Sequence, residues 1–155
     1  MNASTDRIEK QITLKAPRSR VWQALTTAEK FGEWFGVNLT GKTFTVGSRI
    51  QGEQASCSGE KKGQIWDAVI ERIDPEQFFA YRWHPYIADS SIDLSHEPRT
   101  LVEFELAEIT NGTLLRVVES GFDALSTARQ HEAMPMHING WEHQIKNIEA
   151  YLAQV

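Results

Sequence analysis

The feature that most constrains the fold is the stretch at residues 137–152, HINGWEHQIKNIEAYL. Apolar side chains recur in it at steps of three and four, which predicts an amphipathic helix. The apolar stripe of this helix consists of Ile138, Trp141, Ile145, Ile148 and Leu152. Trp141 has an indole N–H that needs a hydrogen-bond partner when it is buried. The helix therefore either seals a packed core or lines a space that holds a ligand.

The middle of the chain has the pattern of short antiparallel strands. Residues 100–109, TLVEFELAEI, alternate apolar and charged side chains, and the Asn-Gly pair that follows predicts a tight hairpin to a strand at 113–122. Further strands are predicted at residues 7–14, 43–54, 63–74 and 77–85. Most of these strands have one apolar and one polar face, which is typical of an antiparallel sheet that is wet on one side.

Three helices complete the predicted fold. Residues 18–36 favour two short helices, because Gly32 and Gly36 weaken the second of them. The C-terminal helix is expected at about 126–155, with Pro135 either bending it or marking the start of a second piece. It is the only long amphipathic element available to cover the apolar face of the sheet. We therefore predict an α+β fold, in one domain spanning 1–155, with a curved antiparallel sheet wrapped around the C-terminal helix.

Composition excludes several classes of protein. The 155 residues include 41% hydrophobic and 24% charged side chains, as in an ordinary globular domain. The net charge of −5 argues against a nucleic-acid-binding surface, and no stretch has the length of a transmembrane helix. The first eleven residues lack the apolar run of a signal peptide, and the single cysteine, Cys57, has no partner for an internal disulfide. We expect a cytoplasmic protein without integral membrane association.

Motifs along most of the chain resemble a known family. They are Ala16-Pro17, Val21-Trp22, Ala24-Leu25-Thr26, Trp34-Phe35, Val46-Gly47-Ser48, the strand ending at Trp83, and Gly140-Trp141. In this order they resemble the branch of the START/Bet v 1-like (SRPBCC) superfamily that is related to activators of the heat-shock protein 90 ATPase. Ser48 departs from that pattern, which has a second glycine there.

The resemblance implies the helix-grip fold and a hollow between the sheet and the last helix. The superfamily includes lipid carriers, hormone receptors, cyclases and co-chaperone domains, so the fold does not imply one activity. Eukaryotic activators of the chaperone have a separate N-terminal domain that does much of the chaperone binding, and we expect no such domain within these 155 residues.

The side chains expected to line this hollow are mostly apolar, with a few polar groups, as in ligand pockets generally. They are Trp66, Tyr81, Trp83, Phe104, Val117, Glu119, Met134, Ile138 and Trp141. Tyr81 and Trp83 face inward only in one of the two possible registers of their strand. Glu119 shares a face with inward-pointing apolar residues, and two interpretations stay open for it. It either anchors a ligand or exchanges protons, or it lies at the strand end and contacts water or an arginine such as Arg116 or Arg129.

Metal and cofactor sites are not expected. A helical metal pair needs histidines four residues apart, whereas His137 lies six residues from both His131 and His143. No glycine-rich phosphate loop and no nucleophile elbow occur in the sequence.

Three classes of function remain. We expect non-catalytic binding, transport or sensing of a small hydrophobic molecule, aromatic or lipid-like, in the cavity between sheet and helix. The long irregular segment at 84–99 favours such a function, since loops of that length are commonly functional. One alternative is a cyclase- or hydrolase-like enzyme in which Glu119, Tyr81 or a histidine transfers protons. The other is a chaperone-associated interaction module, which needs an exposed apolar patch, with Trp34 and Phe35 as first candidates.

Overall fold

The computed structural model describes residues 7–54, 65–83, 99–122 and 127–153, with the side chains of residues 54, 65, 127–134 and 136 not among those described. Cys57 and residues 84–98 of the predicted irregular segment 84–99 lie outside the described residues. The backbone of Met134 lies within them, but its side chain does not.

The described elements follow the predicted order of strand, two helices, further strands and a long helix. They are β1 (Arg7–Leu14), α1 (Arg18–Thr26), α2 (Ala28–Phe35), β2 (Val37–Asn38), β3 (Arg49–Gln54), β4 (Ile65–Asp74), β5 (Phe78–Trp83), β6 (Thr100–Ile109), β7 (Gly112–Ser120) and α3 (Thr127–Ala153).

The strands form one antiparallel sheet in the order β1-β7-β6-β5-β4-β3-β2. After β1 the chain crosses through α1 and α2 to the opposite edge of the sheet. It then returns strand by strand until β7 pairs with β1, in a register that places Leu14 opposite Thr113. The predicted α+β fold, a curved antiparallel sheet with a C-terminal helix, is confirmed.

One face of the sheet is apolar and buried, and the other face is polar, as the alternation predicts. The buried face includes Phe79, Tyr81, Val102, Phe104, Leu115 and Val117. On the other face Arg116 links three strands, because its guanidinium donates to Glu9 on β1 at 2.6 Å and to Glu105 on β6 at 2.8 Å. Because Tyr81 lies on the buried face, the register of β5 is the one that turns this side chain inward.

Helix α3 covers the apolar face but differs from the prediction at one position of its stripe. Trp141, Ile148 and Leu152 are buried, whereas Ile138 is 36% exposed. His137, four residues before Trp141, takes the inward position instead. Both 137 and 138 lie within a helical turn of Trp141, so helix periodicity alone does not separate them.

Pro135 and Gly140 both lie within α3 without interrupting it. Pro135 is exposed inside one continuous helix, so no second piece starts there. Gly140 lies on the exposed side of α3, where an added Cβ would meet no atom of the described residues within 4 Å.

The predicted strand at 43–54 is shorter in the structure. A turn precedes β3, in which Ser48 Oγ donates to the Thr45 carbonyl at 2.5 Å and Gly47 has a φ of 87°. The positive φ interrupts the extended backbone, so the strand begins only at Arg49. The two-residue strand β2 was not predicted.

Candidate functional site

Glu119 on β7 is the one carboxylate that the fold places inside the apolar interior among the described residues. It lies between Val102 on β6 and Ile8 on β1, and its side chain is 0% exposed. A carboxylate in such a position is costly unless donors from the protein replace its water shell.

Four side chains supply these donors, two to each oxygen. Trp83 Nε1 donates to Oε2 at 2.7 Å, and Thr100 Oγ1 donates to the same oxygen at 2.6 Å. His137 Nδ1 lies 2.5 Å from Oε1, where it is the donor if the carboxylate is ionised, and Trp141 Nε1 donates to the same oxygen at 2.9 Å. The carboxylate therefore joins β5 and β6 through one oxygen to α3 through the other.

These partners decide the charge of the carboxyl group. Burial acts to raise the pKa of Glu119, but the charge of His137 and the hydrogen bonds from His137, Thr100 and Trp141 outweigh it. The pKa of Glu119 therefore lies below its ordinary value of 4.5, and the group is ionised at neutral pH.

The imidazole of His137 is held by more than the carboxylate. Its ring lies edge-to-face against Trp83, with centroids 5.5 Å apart, and against Phe122, with centroids 5.9 Å apart. The side chain is 11% exposed. Of the four donors to Glu119, His137 and the half-buried Trp83 have solvent-accessible area.

The space around Trp141 is filled by rings on several sides. Phe35 on α2, Trp83 on β5 and Phe104 on β6 each lie about 6 Å from its ring centre, at 6.1, 5.9 and 5.8 Å. Gln144 of α3 also donates to the Phe35 carbonyl at 3.0 Å, which fixes α2 against α3. Helix α2 is therefore part of the wall of the interior.

Two polar atoms deeper in the interior lack hydrogen bonds. Tyr81 Oη and Trp66 Nε1 are both buried, and neither has a partner within the described parts of the chain. Their rings contact each other at 5.4 Å between centroids. Burial, with a smaller contribution from the charge of Glu119, raises the pKa of Tyr81 well above its usual value, so its hydroxyl stays protonated and able to donate.

The structure brings most of the predicted lining residues together on the inner side of the sheet and α3. Trp66, Tyr81, Trp83, Phe104, Val117, Glu119 and Trp141 all lie there. Ile138 lies at the exposed side of α3, and the side chain of Met134 is not among those described. Of the two interpretations of Glu119, the contact with water or an arginine does not match the structure, since indoles, a hydroxyl and an imidazole bind it.

Sequence reasoning missed three residues of this site. His137, Thr100 and Phe35 were not among the predicted lining side chains. A usable signal existed for His137, because it lies four residues before Trp141 and therefore on the same helix face. Thr100 had no local signal, since its contact with Glu119 depends on the pairing of β6 with β7.

A surface pocket lies at the edge of the sheet formed by β2. It has a volume of about 390 Å³ and is lined by Gly32, Gly36, Val37, Asn38 and Glu53. A Cβ on Gly32 would collide with the Val37 carbonyl, so the glycine explains the close approach of α2 to β2. None of the predicted lining residues borders this pocket.

Three further findings concern the described residues alone. No three His, Cys, Asp or Glu side chains among them group closely enough to hold a metal ion. No described helix combines the length and apolarity needed to cross a membrane. Trp34 and Phe35 are buried, and Trp34 Nε1 donates to the Ala24 carbonyl at 2.7 Å, so the predicted exposed patch at this pair was wrong.

Solved structures with the same fold come from several bacteria. A protein from Arthrobacter aurescens has a TM-score of 0.78 at 16% identity, over 99% of this chain and 91% of its own. Protein MLL2253 from Mesorhizobium loti has a TM-score of 0.71 at 24% identity, over 96% and 98%. DynU16, a protein in the dynemicin biosynthetic locus, has a TM-score of 0.71 at 19% identity; the match covers 96% of this chain but only 48% of DynU16. Identities this low show the fold alone.

Sequence comparison assigns the family. No curated protein sequence matches the chain. The family described as Activator of Hsp90 ATPase homolog 1-like protein matches residues 15–153. The chain therefore belongs to this family and, as its motifs predicted, to the START/Bet v 1-like (SRPBCC) superfamily.

Proposed function

We propose that the protein binds a small hydrophobic, aromatic or lipid-like molecule between the inner face of the sheet and α3, as a carrier or sensor. The observation that carries this proposal is the pair of unpartnered polar atoms, Tyr81 Oη and Trp66 Nε1, among aromatic rings. A buried donor without a partner costs free energy, about 1 to 3 kcal/mol for a typical group. A ligand with a suitably placed polar atom recovers that cost.

The polar atom of the ligand is expected to be a hydrogen-bond acceptor. An indole N–H only donates, and the Tyr81 hydroxyl is free to donate as well. Glu119, the strongest acceptor nearby, already receives two hydrogen bonds on each oxygen. A carbonyl or ether oxygen therefore fits the site, whereas a ligand that offers only donors leaves the Trp66 N–H without a partner.

The ligand is also expected to be uncharged. Glu119 is ionised inside the interior, and its charge contributes to the raised pKa of Tyr81. A ligand carboxylate placed against Tyr81 would meet the same repulsion and would lose its water shell. The preferred class is a neutral planar or flexible apolar molecule with one acceptor.

A ligand reaches this site by passing the side chains that have solvent-accessible area. Tyr81 and Glu119 are fully buried, so neither side chain has solvent-accessible area in this structure. Trp83 and His137 are the members of the group around Glu119 with accessible area. Binding therefore requires the rings around Trp141 to move, and Trp83 is the side chain whose displacement opens a path from the surface.

Three naphthalenes of nearly equal size test this proposal by titration calorimetry. We expect acetonaphthone, a neutral acceptor, to bind about tenfold more tightly than isopropylnaphthalene, which lacks the oxygen. Naphthoate, which carries a charge, should bind more weakly than acetonaphthone. If none of the three binds saturably, and a medium-chain methyl ketone also fails, ligand binding in this interior is refuted.

The substitution Tyr81→Phe removes the hydroxyl and keeps the aromatic ring. Removing an unpartnered hydroxyl should raise the free energy of unfolding of the free protein by about 1 kcal/mol. The same change should weaken the binding of acetonaphthone but not that of isopropylnaphthalene. Tyr151→Phe is the matched control, because the Tyr151 hydroxyl lies at the surface and donates to Glu33. Urea unfolding and calorimetry measure the two effects, and a loss of stability in Tyr81→Phe would contradict the assignment.

A further inference from the structure

We infer that Glu119 and His137 form a proton-transfer pair at the mouth of the same interior, with His137 Nε2 as a general base for a planar aromatic substrate. This inference rests on the proposed function, because the substrate must occupy the site described above. It adds a catalytic capacity that simple binding does not need.

The geometry fixes which nitrogen of His137 is available. Nδ1 lies 2.5 Å from Glu119 Oε1, and an ionised carboxylate only accepts hydrogen bonds. Nδ1 therefore carries a proton in both charge states of the ring. When the imidazole is neutral, its free lone pair is on Nε2, which points away from the carboxylate.

His137 differs chemically from the other donors to Glu119. Trp83, Trp141 and Thr100 provide neutral N–H and O–H groups that do not titrate near neutral pH. A purely structural carboxylate site could be completed by a fourth donor of that kind. The position is taken instead by an imidazole, whose second ring nitrogen can accept a proton.

The ring is also positioned and accessible. Trp83 and Phe122 contact it edge-to-face, so its orientation is set by packing as well as by the carboxylate. Its side chain is 11% exposed, whereas Glu119 has no exposed area. Among the described residues, the titratable groups that face His137 are Glu119 on β7 and, deeper in the interior, Tyr81 on β5. A base oriented by a buried carboxylate and flanked by aromatic rings suits proton abstraction from an apolar substrate.

Nitrobenzisoxazole is a suitable probe, since it is small, planar and aromatic and reacts by one proton transfer. Nε2 would take the proton from the C–H carbon next to the ring nitrogen. The electrons of that C–H bond form the nitrile, and the N–O bond breaks to give a nitrophenolate. The imidazolium then returns its proton to water, so the reaction needs no oxidant, reductant or other reactant.

The test compares the wild-type protein with His137→Gln and His143→Gln. Glutamine at 137 keeps an N–H for Glu119 but removes the base, and His143 is an exposed histidine of the same helix. We expect wild type and His143→Gln to turn over the probe at equal rates, and His137→Gln to be slower by about 100-fold. The wild-type rate should rise with pH, as expected for a general base, and this rise should vanish in His137→Gln. Equal rates in all three proteins would overturn the inference.

A second measurement does not depend on binding. Long-range proton–nitrogen NMR of the imidazole rings shows which nitrogen of His137 is protonated in the neutral form. A proton on Nδ1 is expected, and a proton on Nε2 would overturn the inference even if the naphthalenes bind. If turnover is absent and acetonaphthone binds, the catalytic inference fails alone. If nothing binds, the proposed function fails, and the inference fails with it.

Discussion

At the scale of single residues, Glu119 sets the arrangement of the interior because it lies inside an apolar region and must be solvated by side chains. Its four donors come from β5, the start of β6 and α3. The sequence indicates that position 119 faces inward, since it follows Leu115 and Val117 at even steps. Which side chains meet the carboxylate depends on tertiary contacts between distant segments, and no local pattern contains that information.

The stability contributed by Glu119 should depend on pH in one direction. Because its pKa is lowered in the folded protein, the contribution is fully present above the ordinary pKa of 4.5 and is lost as the pH falls through the folded value. Glu119→Gln places an amide nitrogen against donor groups and should cost about 3 kcal/mol at neutral pH. Urea unfolding of both proteins at several pH values measures the difference.

That difference should shrink toward acid pH, and a difference that stays constant or grows below pH 4.5 would contradict the ionised state of Glu119. Glu142→Gln is a useful control. Glu142 makes an exposed ion pair with Lys10, and such pairs contribute little. Its replacement should change stability only slightly at any pH.

At the scale of elements, α3 has different surroundings along its length. Ile148 and Leu152 in its C-terminal half are buried against the core, and Gln144 donates to α2. Near position 137, His137 contacts Glu119 in the interior, while Ile138 is exposed. The C-terminal half acts as a hydrophobic seal, and the part near His137 presents a polar group to the interior.

Two isoleucines on the same helix test this division. Ile148→Ala should lower the free energy of unfolding by about 3 kcal/mol, because it leaves a cavity in the packed core. Ile138→Ala should change it by less than about 1 kcal/mol, because the side chain is already exposed. Thermal and urea unfolding would measure both. Equal losses for the two variants would show that the exposed position of Ile138 is wrong.

The order of elements could be predicted because hydrophobic periodicity and turn residues are local signals. The hairpin between β6 and β7 is an example, since Asn111 adopts a φ of 63° in the turn that the Asn-Gly pair predicts. Strand β2 has only two residues, which is too short for any period to appear. The stripe of α3 was misplaced by one residue at its start, because positions 137 and 138 are both compatible with the helix period, and the choice between them depends on Glu119.

At the scale of the whole molecule, the sheet leaves the protein with two different surfaces. The outer face has charged side chains that pair across strands, such as Arg49 with Asp67 at 2.6 Å. The inner face and α3 enclose aromatic rings together with the unpartnered polar atoms of Tyr81 and Trp66. An interior built only for stability would not leave buried donors unpaired. The central claim is that a ligand with an acceptor group completes this interior.

The most direct measurement of that claim is the NMR signal of the tryptophan indole N–H groups during titration with acetonaphthone. Trp66 N–H should shift saturably as it gains a hydrogen bond, whereas Trp34 N–H, already bonded to the Ala24 carbonyl, should not move. Trp83 and Trp141 are expected to shift with Trp66, because their rings must move to admit the ligand. A Trp66 signal that stays unchanged up to saturating acetonaphthone would contradict ligand binding in this interior.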